Sequence, residues 1–436
     1  MSSPTTTAPP RMLVPDVARG LALLGIALAN APTAWFPTHP GSPGSHFGGV
    51  ESTADKAVVV FTAITTHVRG LPMFSTLLGF GIGLIVMSLW RRGFPLPTTR
   101  RVLLRRYGFL ALFGALHLIF LFFGDIMLIY GASGMLIAAI FTWRDKTLLR
   151  LSYGLLAFNC LLGILGATGV AALGGVAPGV VSLGSGDGSG SFLPQSYPEL
   201  LLLNSVLLMG HLLTLPMYWL QYLPLMLIGF VWARRGVLAD VPSHRRELGI
   251  WTAIGATVAI GLGLPWGLST IGVLPTAWAS ALSTANTFLG ALTGPGILAF
   301  LALVLNGVQQ RVWNGASVPV LLRIPAALGK RSMSGYLMQS VLFSIVAQPF
   351  LLGWNPPAAA QAGLALGIWV LTLVGACLLE WAGKPGPFEY LHRRLSYGPT
   401  MRPQLANSSG VFQGVDKQVG PHGGGGSLPG GQSGSH

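Results

Sequence analysis

Apolar runs of about 20 residues, long enough to cross a hydrocarbon core, recur along this chain and constrain everything else about it. They lie near 17–36, 70–90, 107–124, 126–143, 151–173, 212–233, 248–268, 277–306, 332–352 and 362–380. Only 9% of the residues are charged, whereas a soluble domain needs about 25% to coat itself in water. Most of the surface therefore faces lipid, where only structures that satisfy their own backbone are stable. The expected fold class is all-α: a polytopic integral membrane helical bundle of about ten transmembrane helices, one domain over 1–402. From 403 to 436 the chain is Gly-rich and polar, a linker composition that reads in part as a cloning remnant and is given no function.

Basic residues set the direction of the spans. When successive loops are assigned to alternate faces, 24 of the 26 Lys and Arg fall on one side, with only Lys56 and Arg69 on the other. The crowded face is cytoplasmic by the positive-inside rule, which places both termini in the cytoplasm. Asp16 and Arg19 at the start of the first run, with no small-residue cleavage site after it, mark a permanent helix rather than a signal peptide.

Two segments 144 residues apart look alike: His67 precedes Leu71-Pro72-Met73 as His211 precedes Leu215-Pro216-Met217, and each continues to Arg-Arg-Gly. Both run outside to inside. This is the pattern of a parallel repeat, over 12–143 and 151–306 with 320–398 closing the domain, and it would bring His67 and His211 to one outer depth.

Ionisable groups inside spans are costly and face a bundle interior or a water-filled cavity. His117 in the outer half of the third span and Asp125 after Gly124 form the sharpest pair. A carboxylate that fixes an imidazole's tautomer makes it a general base near neutral pH; the alternative is a core histidine beside an aspartate that caps the next helix. Asp16 and Arg19 share a helix face, as a local ion pair or as a cation offered to phosphate. His67, Arg69 and His211 lie near the outer surface, with His39 and His46 in the Pro/Gly-rich loop before them. Cys160 and Cys377 read as small hydrophobes, and no disulfide framework or metal-ligand spacing is present. The net charge of +14 comes without the basic-aromatic interleaving of nucleic-acid binders. Walker and G-x-S-x-G sequences are absent.

Five ordered motifs over about 12–398 resemble the YeiB-like bacterial membrane proteins, whose later part is a domain of unknown function. They are Asp16-x-x-Arg19-Gly20 with Asn30; Met73-Phe74-Ser75-Thr76-Leu77-Leu78-Gly79-Phe80-Gly81, with Arg69 where a Lys is usual; His117 with Gly124-Asp125-Ile126 and Tyr130; Gly329 through Tyr336 to Ser340; and Gly386-Pro387-Phe388-Glu389-Tyr390. Tyr390 stands for the usual Trp and Gly335 for the usual Asn.

The Asp-x-x-Arg-Gly opening is also similar to that of the transmembrane acyltransferases, among them heparan-α-glucosaminide N-acetyltransferase. That resemblance implies transfer of an acyl group from cytoplasmic acyl-CoA, a co-substrate rather than a bound cofactor, to a hydroxyl of an extracytoplasmic glycan or glycolipid. On this reading His117, with Asp125, His67 or His211, supplies the base. Arg19, Arg105 and Arg106 hold the donor's phosphates, Asn30 and Gln339 stabilise the oxyanion, and Asp16, Arg69, Tyr336 and Glu389 contact substrate. Membrane lipids, acyl-CoA and the acceptor are then the partners, with self-association left open. A transporter or flippase is the alternative, and a non-catalytic partner of an envelope complex the third reading.

Overall fold

The computed structural model describes residues 12–36, 46–173 and 194–404, and every regular element among them is helical. In chain order the elements are α1 (Leu13–Asn30), which runs into a π turn at Ala31–Trp35, α2 (Thr53–Thr65), α3 (Gly70–Arg91), α4 (Leu96–Phe120) and α5 (Met127–Ile140). Then come α6 (Asp145–Ala172), α7 (Tyr197–Arg235), α8 (Arg245–Thr270), α9 (Trp278–Leu289), a 3-10 turn at Gly290–Leu292 and α10 (Thr293–Trp313). The chain closes with α11 (Val320–Gly329), α12 (Ser332–Ala347), α13 (Ala358–Trp381) and α14 (Pro387–Tyr397).

Eight stretches are long and apolar enough to cross a membrane, with α2 plus α3 and α9 plus α10 each counted as one descent. The two remaining expected crossings fall on α5 and α12, of 14 and 16 residues. At 1.5 Å per residue these helices measure about 21 and 24 Å, short of a 30 Å core. α7 departs the other way: its 39 residues give about 58 Å, so it projects well beyond the bilayer. Side chains such as Leu213 and Trp381 are 81% and 88% exposed, a cost that a surface in lipid does not incur. The chain is a multi-pass membrane protein.

Without water to drive helices together inside the bilayer, association depends on close packing, and small residues permit it. The centre of the bundle is α3 against α7. A Cβ on Gly79 would lie 1.8 Å from the Met226 carbonyl oxygen, and one on Gly229 would lie 1.9 Å from that of Thr76. Around this backbone contact Ile82, Met226, Leu227 and Phe230 are fully buried.

Two descents are interrupted. α2 ends at Thr65 and α3 restarts at Gly70, while α9 gives way to α10 through the 3-10 turn. The interruptions touch: Thr293 Oγ1 donates to the Val68 carbonyl (3.2 Å), and the Arg69 guanidinium reaches Asn286. His67 sits in the first interruption. His211, in the other half of the similar segments, lies inside unbroken α7, where its Nδ1 meets the Leu207 carbonyl at 2.9 Å and its ring stacks on Tyr218.

Candidate functional site

α4 ends one turn after His117, and the turn 121–126 carries Asp125 back over that end. His117 Nδ1 and Asp125 Oδ2 are 2.6 Å apart, both side chains almost wholly buried. Asp125 Oδ1 accepts from the Leu128 amide at 2.8 Å, so the same carboxylate caps α5 and orients the imidazole. With Asp125 ionised, its carboxylate can only accept, and in that state Nδ1 carries the ring proton and Nε2 presents its lone pair. That Nε2 is buried with no partner among the described residues. Buried polar atoms are normally satisfied, and an unsatisfied imidazole nitrogen in this tautomer is what a waiting base requires.

The walls around His117 come from distant parts of the chain. The Tyr336 ring lies 5.2 Å from it and Tyr336 Oη donates to the Gly124 carbonyl (3.4 Å). Phe122 packs against His117 and stacks on Trp35 at 4.3 Å, and Trp35 in turn stacks on Phe343. Beside this stack lies a cavity of about 60 Å³ lined in part by Trp35, Phe122, Asn204 and Gln348. Gln339, one turn after Tyr336 on α12, is buried and its amide nitrogen has no partner. Asn30 ends α1 half-buried, just before the π turn that places Trp35. Tyr130, in the same motif as His117, bonds Ser75 (3.1 Å) and the Leu71 carbonyl, tying α5 to α3.

The residues around His67 form a separate cluster. Arg69 is buried, and its three hydrogen bonds go to the Ile64 and Val68 carbonyls and to Asn286 Oδ1. His67 is caged by Phe47 and Trp266, and His46 Nε2 meets Ser283 Oγ at 3.2 Å. His39 lies outside the described residues. His211 joins neither cluster by any hydrogen bond or ring contact described above.

The expected phosphate trio is divided. Arg19 pairs with Asp16 at 3.5 Å. Arg106 is locked by Tyr397 of α14 (Nη1 to Oη, 3.0 Å), and its backbone carbonyl accepts from His392 Nε2 at 2.8 Å. Burial, with the Arg106 charge beside it, pushes the His392 imidazole down to about 4, so it docks α14 as a neutral donor. Arg105 Nε donates to the Leu395 carbonyl of α14 (3.0 Å), and Arg105 also lines an open groove of about 590 Å³ with Arg100, Arg101, Leu96, Pro97, Leu104 and Thr142. Glu389, expected at the substrate, caps α12: its carboxylate accepts from the Met333 and Ser334 amides and from Ser334 Oγ, as an acid at a helix N-terminus does.

Sequence reasoning missed Asn286 and Glu380. Asn286 sits in a Ser/Thr/Ala-rich run with no periodic signal. Glu380, which holds Lys330 and Arg331 at 2.6 Å each, was detectable as a carboxylate ending an apolar run.

A family model described as a protein of unknown function, DUF418, matches residues 232–399, from the end of α7 through α14. The uncharacterized protein YeiB of Escherichia coli strain K12 is 23% identical over 397 residues, 87% of this chain and 95% of that protein. The domain match and this relative support a YeiB-like family. The uncharacterized protein YxaH of Bacillus subtilis strain 168 is 24% identical over 405 residues, covering 89% of this chain and 94% of its own. No solved structure matches significantly. The DUF418 match contains Tyr336 and Gln339 but not His117, Asp125 or Arg69, so the YeiB-like site is assembled across the boundary of that domain.

Proposed function

We propose that this YeiB-like protein is a transmembrane acyltransferase that moves an acyl group from cytoplasmic acyl-CoA to a hydroxyl of an extracytoplasmic glycan or glycolipid. We place it in the bacterial cytoplasmic membrane with both termini inside. The observation that carries this reading is the buried His117–Asp125 pair with Nε2 unoccupied by any protein donor or acceptor. In the reaction the acceptor hydroxyl gives its proton to His117 Nε2 as its oxygen bonds to the thioester carbonyl carbon. The tetrahedral oxyanion, with Gln339 Nε2 as a candidate donor, then collapses and the C–S bond breaks. The imidazolium returns the proton to the departing thiolate, so ester and free thiol are the products. Arg105 and His117 are twelve residues apart on α4, about 18 Å along its axis, so one helix links a cytoplasmic phosphate site to the base. Arg100, Arg101 and Arg105 are the donor contacts this geometry favours.

Purified protein given acyl-CoA should bind it, and Arg101→Gln with Arg105→Gln should weaken binding by about 1.5–3 kcal/mol for each charge-assisted bond lost. Unchanged donor affinity in the double variant would remove the groove from the donor site; no acyl-CoA binding by the wild type would remove acyl transfer. The orientation is tested by labelling single cysteines in a Cys160→Ala, Cys377→Ala background. Val273→Cys, between α8 and α9, should react with an impermeant reagent in intact cells and Arg101→Cys only after lysis. Labelling of both from one side would overturn the topology.

The paired interruptions of α2/α3 and α9/α10 favour a second reading, transport or flipping, because discontinuous helices meeting within a bundle are typical of solute sites. Alternating inward- and outward-open accessibility without turnover would select it.

A further inference from the structure

The Arg69 cluster has no part in the chemistry assigned to His117, yet it bears a cost that packing does not explain. Arg69 is 2% exposed, and among the described residues no carboxylate pairs with it. Its acceptors, the Ile64 and Val68 carbonyls and Asn286 Oδ1, are all neutral. A buried charge with only neutral partners is penalised by several kcal/mol, and intramembrane cations of this kind mark substrate pathways. Capping the end of α2 at Ile64 accounts for one of these bonds, but an uncharged donor would cap it without that penalty.

Other groups beside Arg69 can donate as well. A guanidinium has five N–H groups, of which three bonds use at most three. His67 is 4% exposed and its Nε2 has no partner. Asn286, fully buried, turns its Nδ2 to the His67 carbonyl (3.4 Å) and so holds His67 and Arg69 together. α3 starts at Gly70, so the positive end of its dipole lies here. Between them Val68 has φ of +58°, a conformation that a β-branched residue adopts only where its surroundings enforce it.

We infer that Arg69, with His67 and the first turn of α3, binds a phosphate group at the junction of the two interrupted helices. Donors arriving from three directions suit a tetrahedral phosphate better than a planar carboxylate, and helix N-termini beside arginines are established phosphate sites. Assigning that phosphate to the acceptor, as a phosphate-bearing glycan or glycolipid, rests on the acyl-transfer reading; the anion site itself does not.

The test is thermal unfolding of the purified full chain with inorganic phosphate, soluble glycerol 1-phosphate, glucuronate, or phosphatidylglycerol against phosphatidylcholine in nanodiscs, at matched ionic strength. Phosphate species should raise the melting temperature saturably, by at least about 3 °C. A response to the soluble ester points to a water-soluble substrate, and a response to phosphatidylglycerol alone points to a lipid. Asn286→Asp places a carboxylate where the amide oxygen now lies 2.9 Å from Arg69. That variant should melt higher than the wild type without phosphate and lose the phosphate response. A wild type indifferent to every phosphate species, a response to glucuronate instead, or a full response in Asn286→Asp would each overturn the inference. Donor binding, measured separately, reports on the acyl-transfer reading alone.

Discussion

On the acyl-transfer proposal, His117→Ala should lower turnover by about 10³-fold or more, with the folded protein and its acyl-CoA affinity retained. The expectation rests on geometry: His117 is the buried imidazole whose Nδ1 is committed to a carboxylate at 2.6 Å and whose Nε2 is unpartnered. General-base catalysis by a positioned imidazole contributes about 10²–10⁴-fold. Asp125→Asn separates orientation from packing. The amide nearly preserves the shape, and its oxygen still accepts from the Leu128 amide, so the α5 cap remains. Its NH₂ faces Nδ1 and selects the other tautomer, which puts a proton on Nε2 and removes the base. Turnover per folded molecule should fall about 10²-fold or more, as when a triad aspartate becomes asparagine. The readout that isolates chemistry from stability is kcat at saturating donor, alongside melting temperature and size-exclusion profile. Normal turnover in well-folded His117→Ala would move the base to another residue, and a loss confined to stability would reduce the pair to a core hydrogen bond.

Gly229→Val and Gly79→Val should each destabilise the bundle by more than about 3 kcal/mol. Overpacking a core costs about 1–3 kcal/mol when side chains can move aside. Here the obstacles are the carbonyl oxygens of Thr76 and Met226, at 1.9 and 1.8 Å from the added carbons. Backbone can yield only if α3 and α7 separate, and separation opens the core where Met226 and Phe230 are buried. The control is Gly154→Val or Gly367→Val, where a Cβ meets nothing within 4 Å. Detergent-solubilised yield and melting temperature should be wild-type in the controls and collapse in the other two. A melting point within two or three degrees of wild type for Gly229→Val would mean that the helices are not in backbone contact.

How much of this was legible in the sequence depended on the range of the physics involved. Lipid solvation acts on each 20-residue window by itself, so the helical class and most crossings could be read without knowing any neighbour. The short helices α5 and α12 mark the limit of that approach: their apolar runs continue past the helix ends, and only hydrogen-bond geometry shows where the backbone turns. His117 and Asp125 were legible because eight residues and a Gly-Asp turn separate them, close enough for local chain geometry to bring them together.

The similarity of the two His/Leu-Pro-Met segments pointed to His67 and His211 as counterparts. One lies in a break between helices and the other in the middle of one. The same few residues follow either backbone, because what ends α2 at Thr65 is the capture of its terminal carbonyl by Arg69 and of Arg69 by Asn286, 217 residues later. The sequence by itself determined that this chain lies in a membrane, that it is all helix, which loops carry the basic residues and that a histidine and an aspartate lie within reach of each other. Those properties arise from transfer free energies and short-range geometry. Tertiary structure alone decided that Glu389 caps α12, that Arg106 is held by α14, and that a buried cation joins two broken helices. Each of these depends on contacts between residues far apart in the chain, and no local preference encodes which distant partner a side chain will meet.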